Sequence, residues 1–223
     1  MQITSLGHSC IRLQHEGCTV VIDPGCFSDP DALEGADAVL VTHEHVDHFV
    51  PDRLREVGGD IEIWTNPAVA RHLTDLGGRV HTVRHGDAFD VGALEFHVYG
   101  EKHATIHRDF ADFDNVGFLA DGVFHPGDAL TVPEEKVRTL LAPAGAPWVK
   151  LAEVVDYVRE VGPGEVFLVH DAVLSRPAFS AHTQILSSLV GGPHGPAVRT
   201  WSPGDKQGLP GAGGSSSQVV PQT

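Results

Sequence analysis

The sequence predicts an α/β fold, a four-layer αβ/βα sandwich formed by a single domain over residues 1–202. Three observations carry this reading. The chain passes twice from short strands to helices, so two halves would stack as paired sheets with helices outside. Two nearly all-apolar runs, 38–42 and 166–169, read as strands buried on both faces, and each ends directly in a histidine, His43 and His170. Finally, 223 residues hold one substantial core and leave no room for a second catalytic domain.

Taken in order, residues 1–6, 9–13 and 18–23 read as a strand meander with a turn at His15-Glu16-Gly17, and 38–42 follows as a buried strand. Residues 49–57 have a helical pattern and 61–65 return as a strand. Asn66 and Pro67 supply an N-cap and first-turn proline for a helix that Gly77-Gly78 would end. Strands are expected at 80–83, 88–91 and 94–99, and Asp121-Gly122 turns 116–120 into 123–125 as a hairpin. Helices at 133–138, 150–161 and 178–190 and strands at 166–169 and 198–201 complete the domain. Residues 203–223, rich in Gly, Ser and Pro, bury too little apolar surface to offset their ordering entropy and are expected to form a disordered tail.

The chemistry concentrates in Thr42-His43-Glu44-His45-Val46-Asp47-His48. Three imidazoles and a carboxylate in six positions after a buried strand call for divalent metal. His43 and His45, two apart, can point the same way from a strand end, while Asp47 and His48 project together where the chain turns, which suggests a sub-cluster for each of two metals.

This array resembles the HxHxDH signature of the metallo-β-lactamase superfamily of hydrolases, and later residues extend the resemblance. The family takes further ligands from later strand ends, for which His103, Asp128 and His170 stand in the right order. The opening, Leu6-Gly7-His8-Ser9-Cys10 followed by Val21-Ile22-Asp23-Pro24-Gly25, resembles the compact branch that includes L-ascorbate-6-phosphate lactonase-like proteins. Carried over, the resemblance implies that His43, His45 and His103 hold one metal, that Asp47, His48 and His170 hold the other, and that Asp128 bridges them. His107 is the alternative to His103 and otherwise a candidate for substrate contact or proton transfer. His8, Lys102, Asp23 and Asp171 are candidates for touching substrate or orienting the ligands. Two zinc ions per chain suit imidazole and carboxylate donors, with manganese or iron as alternatives.

The resemblance implies a metal-dependent hydrolase in which Asp47 and Asp128 serve a metal-activated water, acting on a small, preferably anionic, ester, lactone or phosphodiester. A mononuclear-iron thiol or persulfide oxidoreductase and a non-catalytic metal-binding protein are the alternatives. No cysteine stands at the candidate bridging position, which argues against the β-lactam-hydrolysing branch, and Cys10, Cys18 and Cys26 form no disulfide framework.

Composition excludes other classes. A formal charge of -15 argues against general nucleic-acid binding, because phosphate binding is driven by Lys and Arg. No apolar run approaches a membrane span, and the N-terminus lacks a basic segment followed by an apolar one, so no membrane partner and a cytoplasmic location are expected. Oligomeric state does not follow from the sequence.

Overall fold

The protein was described from a computed structural model, covering residues 1–58, 61–193 and 195–209. The first half opens with the antiparallel strands β1 (Gln2–Ser5), β2 (Ile11–His15) and β3 (Cys18–Ile22), then continues in parallel through β4 (Ala38–Val41), β5 (Glu62–Thr65) and β6 (Val80–Thr82). The helices α1 (Pro51–Glu56) and α2 (Pro67–Ala70) make the crossovers.

The second half repeats the plan. Strands β7 (Ala88–Val91), β8 (Leu94–Tyr99), β9 (Gly117–Ala120) and β10 (Val123–His125) run antiparallel, followed by the parallel strands β11 (Thr139–Pro143), β12 (Glu165–Val169) and β13 (Ala197–Arg199). The helices α3 (Leu151–Val161) and α4 (Arg176–Val190) cover it. A last strand, β14 (Lys206–Gly208), returns to pair with β1. Among the described residues the result is two seven-stranded sheets, ordered β14-β1-β2-β3-β4-β5-β6 and β13-β12-β11-β10-β9-β8-β7.

Strand composition explains the layering. Ala38 and Leu40 of β4 face a core between the sheets that includes Phe96, Phe118, Leu141 and Phe167. Val39 and Val41 face the opposite side, against Leu54, Val69 and Leu73. In the second sheet, Phe167 and Val169 of β12 join the central core, while Val166 and Leu168 pack on Val154, Val158 and Leu186 of the helices. A sheet covered on both faces needs apolar residues at successive positions, which is why these runs lack alternation.

Three expectations are corrected. Residues 133–138 form no helix, and the strand beyond them, β11, has no clear sequence signature because it ends in a proline. The helix expected from Pro67 breaks after one turn into a 3₁₀ stretch, Arg71–Arg79, with Leu73 and Gly77 outside helical geometry. Residues 203–209, assigned to the tail, are ordered: β14 pairs with β1, and Leu209 is buried in the central core. Short pairing with an existing edge needs little apolar sequence, so composition alone misses it. The rest of the expected tail, 210–223, lies outside the described residues.

Candidate metal centre

The site forms where β4 and β12 end and where the loops after β8 and β10 reach the same rim. Tight backbone geometry assembles it. His8, Asp23 and His170 all take left-handed φ values, 55°, 54° and 60°, a conformation that costs a non-glycine residue of the order of 1 kcal/mol and needs surrounding structure to hold it. His170 N–H donates to the His8 carbonyl at 3.2 Å, tying the two halves together. Gly25 lies so close under the metal loop that a Cβ there would sit 1.8 Å from the Asp47 carbonyl oxygen.

Two groups of donors converge. His43, His45, His103 and Asp128 form one, and His8, Asp47, His48 and His170 form the other, with the ligand atoms of each group within 4.8 Å of one another. Asp128 links them: its Oδ1 lies 3.1 Å from His48 Nε2, and its Oδ2 lies 3.2 Å from His170 Nε2 and 3.5 Å from His103 Nε2.

The hydrogen bonds around the histidines fix their tautomers. His48 Nδ1 donates to Asp23 Oδ2 at 2.7 Å and His170 Nδ1 to the Gly145 carbonyl at 3.0 Å, while His103 Nδ1 donates to the Ala104 carbonyl. Thr42 Oγ1 gives its hydrogen to Asp23 and therefore accepts from His43 Nδ1. The opposite nitrogens, Nε2 of His43, His48, His103 and His170, are buried without a hydrogen-bond donor. Four lone pairs thus meet carboxylate oxygens in a dry space, an arrangement that requires a cation between them, either protons or a metal. The donor set fits divalent metal.

The electrostatics are those of a site with its metal replaced by protons. Burial opposes charge on His48 and His170, but the facing carboxylates outweigh it, raising His48 well above the ordinary range and His170 to about 9. Burial likewise opposes charge on Asp47 and Asp128, and the same histidines hold both well below the usual carboxylate range. For His43, His45 and His8, burial prevails and lowers the pKa.

The other candidates separate clearly. His8 has the opposite tautomer: its Nδ1 accepts from Ala172 N–H at 3.2 Å, so its Nε2–H donates to Asp47 Oδ2 at 3.2 Å. It is therefore a hydrogen-bond donor into the site and has no free lone pair to offer there. Asp23 serves His48 directly and His43 through Thr42.

His107 stands apart from both groups, 60% exposed, because the turn to Phe110 folds its ring back onto Asp109 N–H. Lys102 is paired at the surface with Asp114, its Nζ 2.7 Å from Asp114 Oδ1, and belongs to neither donor group. Among the described residues Asp171 makes no side-chain hydrogen bond to a ligand histidine; His170 is oriented by the Gly145 carbonyl instead, a backbone partner that needs no acidic neighbour.

Two contributors lack a local sequence signal. Trp148 Nε1 donates to Asp128 Oδ2 at 2.8 Å, and its ring lies edge-on to His103 and His170. Asn115 Oδ1 accepts from Asp128 N while its Nδ2 donates to the Pro126 carbonyl, clamping the turn that delivers Asp128. Both contacts join segments distant in sequence; an aromatic wall at Trp148 could be expected from the sequence, but its hydrogen bond to Asp128 and the Asn115 clamp could not.

The family model described as "Beta-lactamase superfamily domain" matches residues 2–170, a span that includes every residue of both donor groups. The chain belongs to the metallo-β-lactamase superfamily. It is similar to Protein Rv0786c of Mycobacterium tuberculosis, at 35% identity over 188 residues covering 80% of this chain and 87% of the relative. It is similar also to a UPF0173 metal-dependent hydrolase of Anoxybacillus flavithermus, at 28% identity over 61% of this chain and 67% of the relative. The fold matches that of Igni18, a metallo hydrolase from Ignicoccus hospitalis, with a TM-score of 0.69 at 19% identity over 92% of this chain and 97% of that one. This metallo-β-lactamase superfamily member is a metal-dependent hydrolase. Among its described residues no helix is long and apolar enough to cross a membrane.

Proposed function

We propose that the enzyme is a dinuclear, zinc-dependent hydrolase of a small ester, lactone or phosphodiester. The observation that carries this reading is the convergence on two carboxylates of four buried imidazole nitrogens that have no hydrogen-bond partner, with Asp128 facing histidines of both groups. His43, His45 and His103 would hold one ion, Asp47, His48 and His170 the other, and Asp128 both. Nitrogen and carboxylate donors without thiolate favour zinc, with manganese as the nearest competitor. Bound there, two ions would supply a water deprotonated near neutral pH and polarise the oxygen of the scissile bond.

The chain's own residues orient and exclude. Asp23, Thr42 and the Gly145 carbonyl keep the ligand rings in one tautomer. Trp148 holds the Asp128 carboxylate and Asn115 its backbone N–H. His8 donates its Nε2–H to Asp47 and so holds that carboxylate in place beside the centre. In net terms, the water oxygen bonds to the acyl carbon or phosphorus, the ester C–O or P–O bond breaks, and the departing oxygen takes up the proton. No covalent enzyme intermediate is needed.

The mononuclear-iron oxidoreductase would leave the Asp47, His48 and His170 group without a purpose, and nothing favours it. The test is metal analysis of the purified chain combined with a hydrolysis screen over carboxylic esters, lactones and phosphodiesters. Two zinc or manganese ions per chain and hydrolysis of at least one class are expected; one iron per chain with no hydrolysis would refute the proposal. A cytoplasmic location is proposed with this reading.

A further inference from the structure

Resting on that hydrolase reading, we propose that the substrate carries an uncharged apolar chain next to its scissile bond, an acyl ester or alkyl lactone in place of a sugar phosphate or other anion. Among the described residues, the exposed large apolar side chains are unevenly placed. Apart from Ile185 and Leu189 on α4, all stand on loops that also carry residues of the metal centre.

Phe27 is 50% exposed with its ring 5.2 Å from that of His8. Val46, 64% exposed, lies between His45 and Asp47, and its carbonyl accepts from the N–H of Cys26, the residue before Phe27. Val173, 46% exposed, follows the Ala172 whose N–H donates to His8. Across the centre, Phe113 packs edge-on to His45 at 4.5 Å, and Trp148 lies against His103 and His170. Five loops that reach the centre therefore each bring an apolar side chain. Phe27, Val46 and Val173 stand exposed and Phe113 and Trp148 half-buried, and such a collar is costly in water unless something apolar covers it in use.

The charges point the same way. The basic side chains on these loops are already matched: Lys102 with Asp114, Arg108 with Asp109 and Lys150 with Glu153. A chain with a formal charge of -15 offers an anion no long-range attraction, even after two divalent ions are added. Recognition by burying hydrocarbon is what remains.

The test uses straight-chain alkyl hydroxamates, from acetohydroxamate to octanohydroxamate, titrated calorimetrically into the zinc-loaded full chain. The head group is constant, so differences report the tail. Affinity should rise about two- to fourfold per methylene, the range for partial to full burial. This slope should fall in Phe27→Ser and Val173→Ser but not in Leu189→Ser, on the outer helix. Suberic monohydroxamate, with a charged tail of similar length, should bind more weakly than octanohydroxamate. A flat series, or tighter binding of the charged tail, would overturn the apolar assignment.

A parallel series of p-nitrophenyl esters separates this inference from the reading beneath it. Rising hydroxamate affinity with no ester or lactone turned over would uphold the apolar collar and count against ester and lactone hydrolysis. Turnover indifferent to chain length, together with flat affinities, would do the reverse.

Discussion

Asp23 Oδ2 accepts the Nδ1 hydrogen of His48 at 2.7 Å, and the same carboxylate takes the Thr42 hydroxyl at 2.7 Å and the Thr42 N–H at 2.8 Å. One buried acid thus sets the tautomer of His48 directly and that of His43 through Thr42. Asp23→Asn keeps the shape and tolerates the left-handed backbone but removes the charge. Metal affinity should fall by roughly 10–100-fold, the usual effect of losing such a partner, with the fold retained. Zinc titration against a competing chelator measures it, and unchanged affinity would show that Asp23 serves only the turn.

Trp148→Phe removes the hydrogen bond to Asp128 while retaining a ring beside His103 and His170. A bond to a charged group is worth roughly 1.5–3 kcal/mol, so zinc binding should weaken by about tenfold or more. In the native chain, zinc should also change the fluorescence of Trp148, whose indole touches the loading site. A signal of full size persisting in Trp148→Phe would place the reporter at Trp64 or Trp201 and argue against contact between Trp148 and the metal centre.

Removing the metal should make stability depend on alkaline pH. His48 and His170 have raised folded-state pKa values, the latter about 9, against an ordinary 6.5, so the folded form holds protons that the unfolded form releases. Their contribution is complete below pH 6.5 and is lost as pH rises through the folded values. The melting temperature of the metal-free chain should therefore decline between pH 6.5 and 9 more than that of the zinc-loaded chain, in which metal replaces those protons. A metal-free profile flat over that interval would contradict the charge arrangement described for the centre.

How much of this could be read in advance depended on whether a feature was local. The HxHxDH array, the buried strands ending in His43 and His170, and the doubled strand-to-helix plan are written in contiguous residues, and the fold followed from them. The partners of the ligands are not so written. Asp23 lay in a readable motif, whereas the Gly145 carbonyl, Trp148 and Asn115 reach the centre by tertiary packing. Lys102 and His107 illustrate the converse: close to a ligand in sequence, the one pairs with Asp114 at the surface and the other is folded back by a tight turn. Strand β14 escaped because pairing with an open edge asks for backbone, which composition does not register.

That strand makes a separate prediction. A chain ending at Ser202 loses the pairing of β14 with β1 and the burial of Leu209, while one ending at Leu209 keeps both. Burying a leucine contributes roughly 1.5–3 kcal/mol, and in a protein of this size about 1 kcal/mol corresponds to roughly 2–4 °C. The shorter chain should melt several degrees below the one ending at Leu209. Equal melting temperatures would show that β14 adds nothing to the domain.

The central claim is that Asp128 serves two ions at once, and metal stoichiometry alongside turnover in Asp128→Asn tests it most directly. The native chain should bind two ions, and the variant should lose at least one of them together with most of its hydrolytic rate, by more than the roughly 10–100-fold expected for an outer partner. Its fold, read by circular dichroism, should be kept, because Asn can still receive the Trp148 hydrogen bond. Two ions retained with near-native turnover would contradict a shared carboxylate and the dinuclear reading that depends on it.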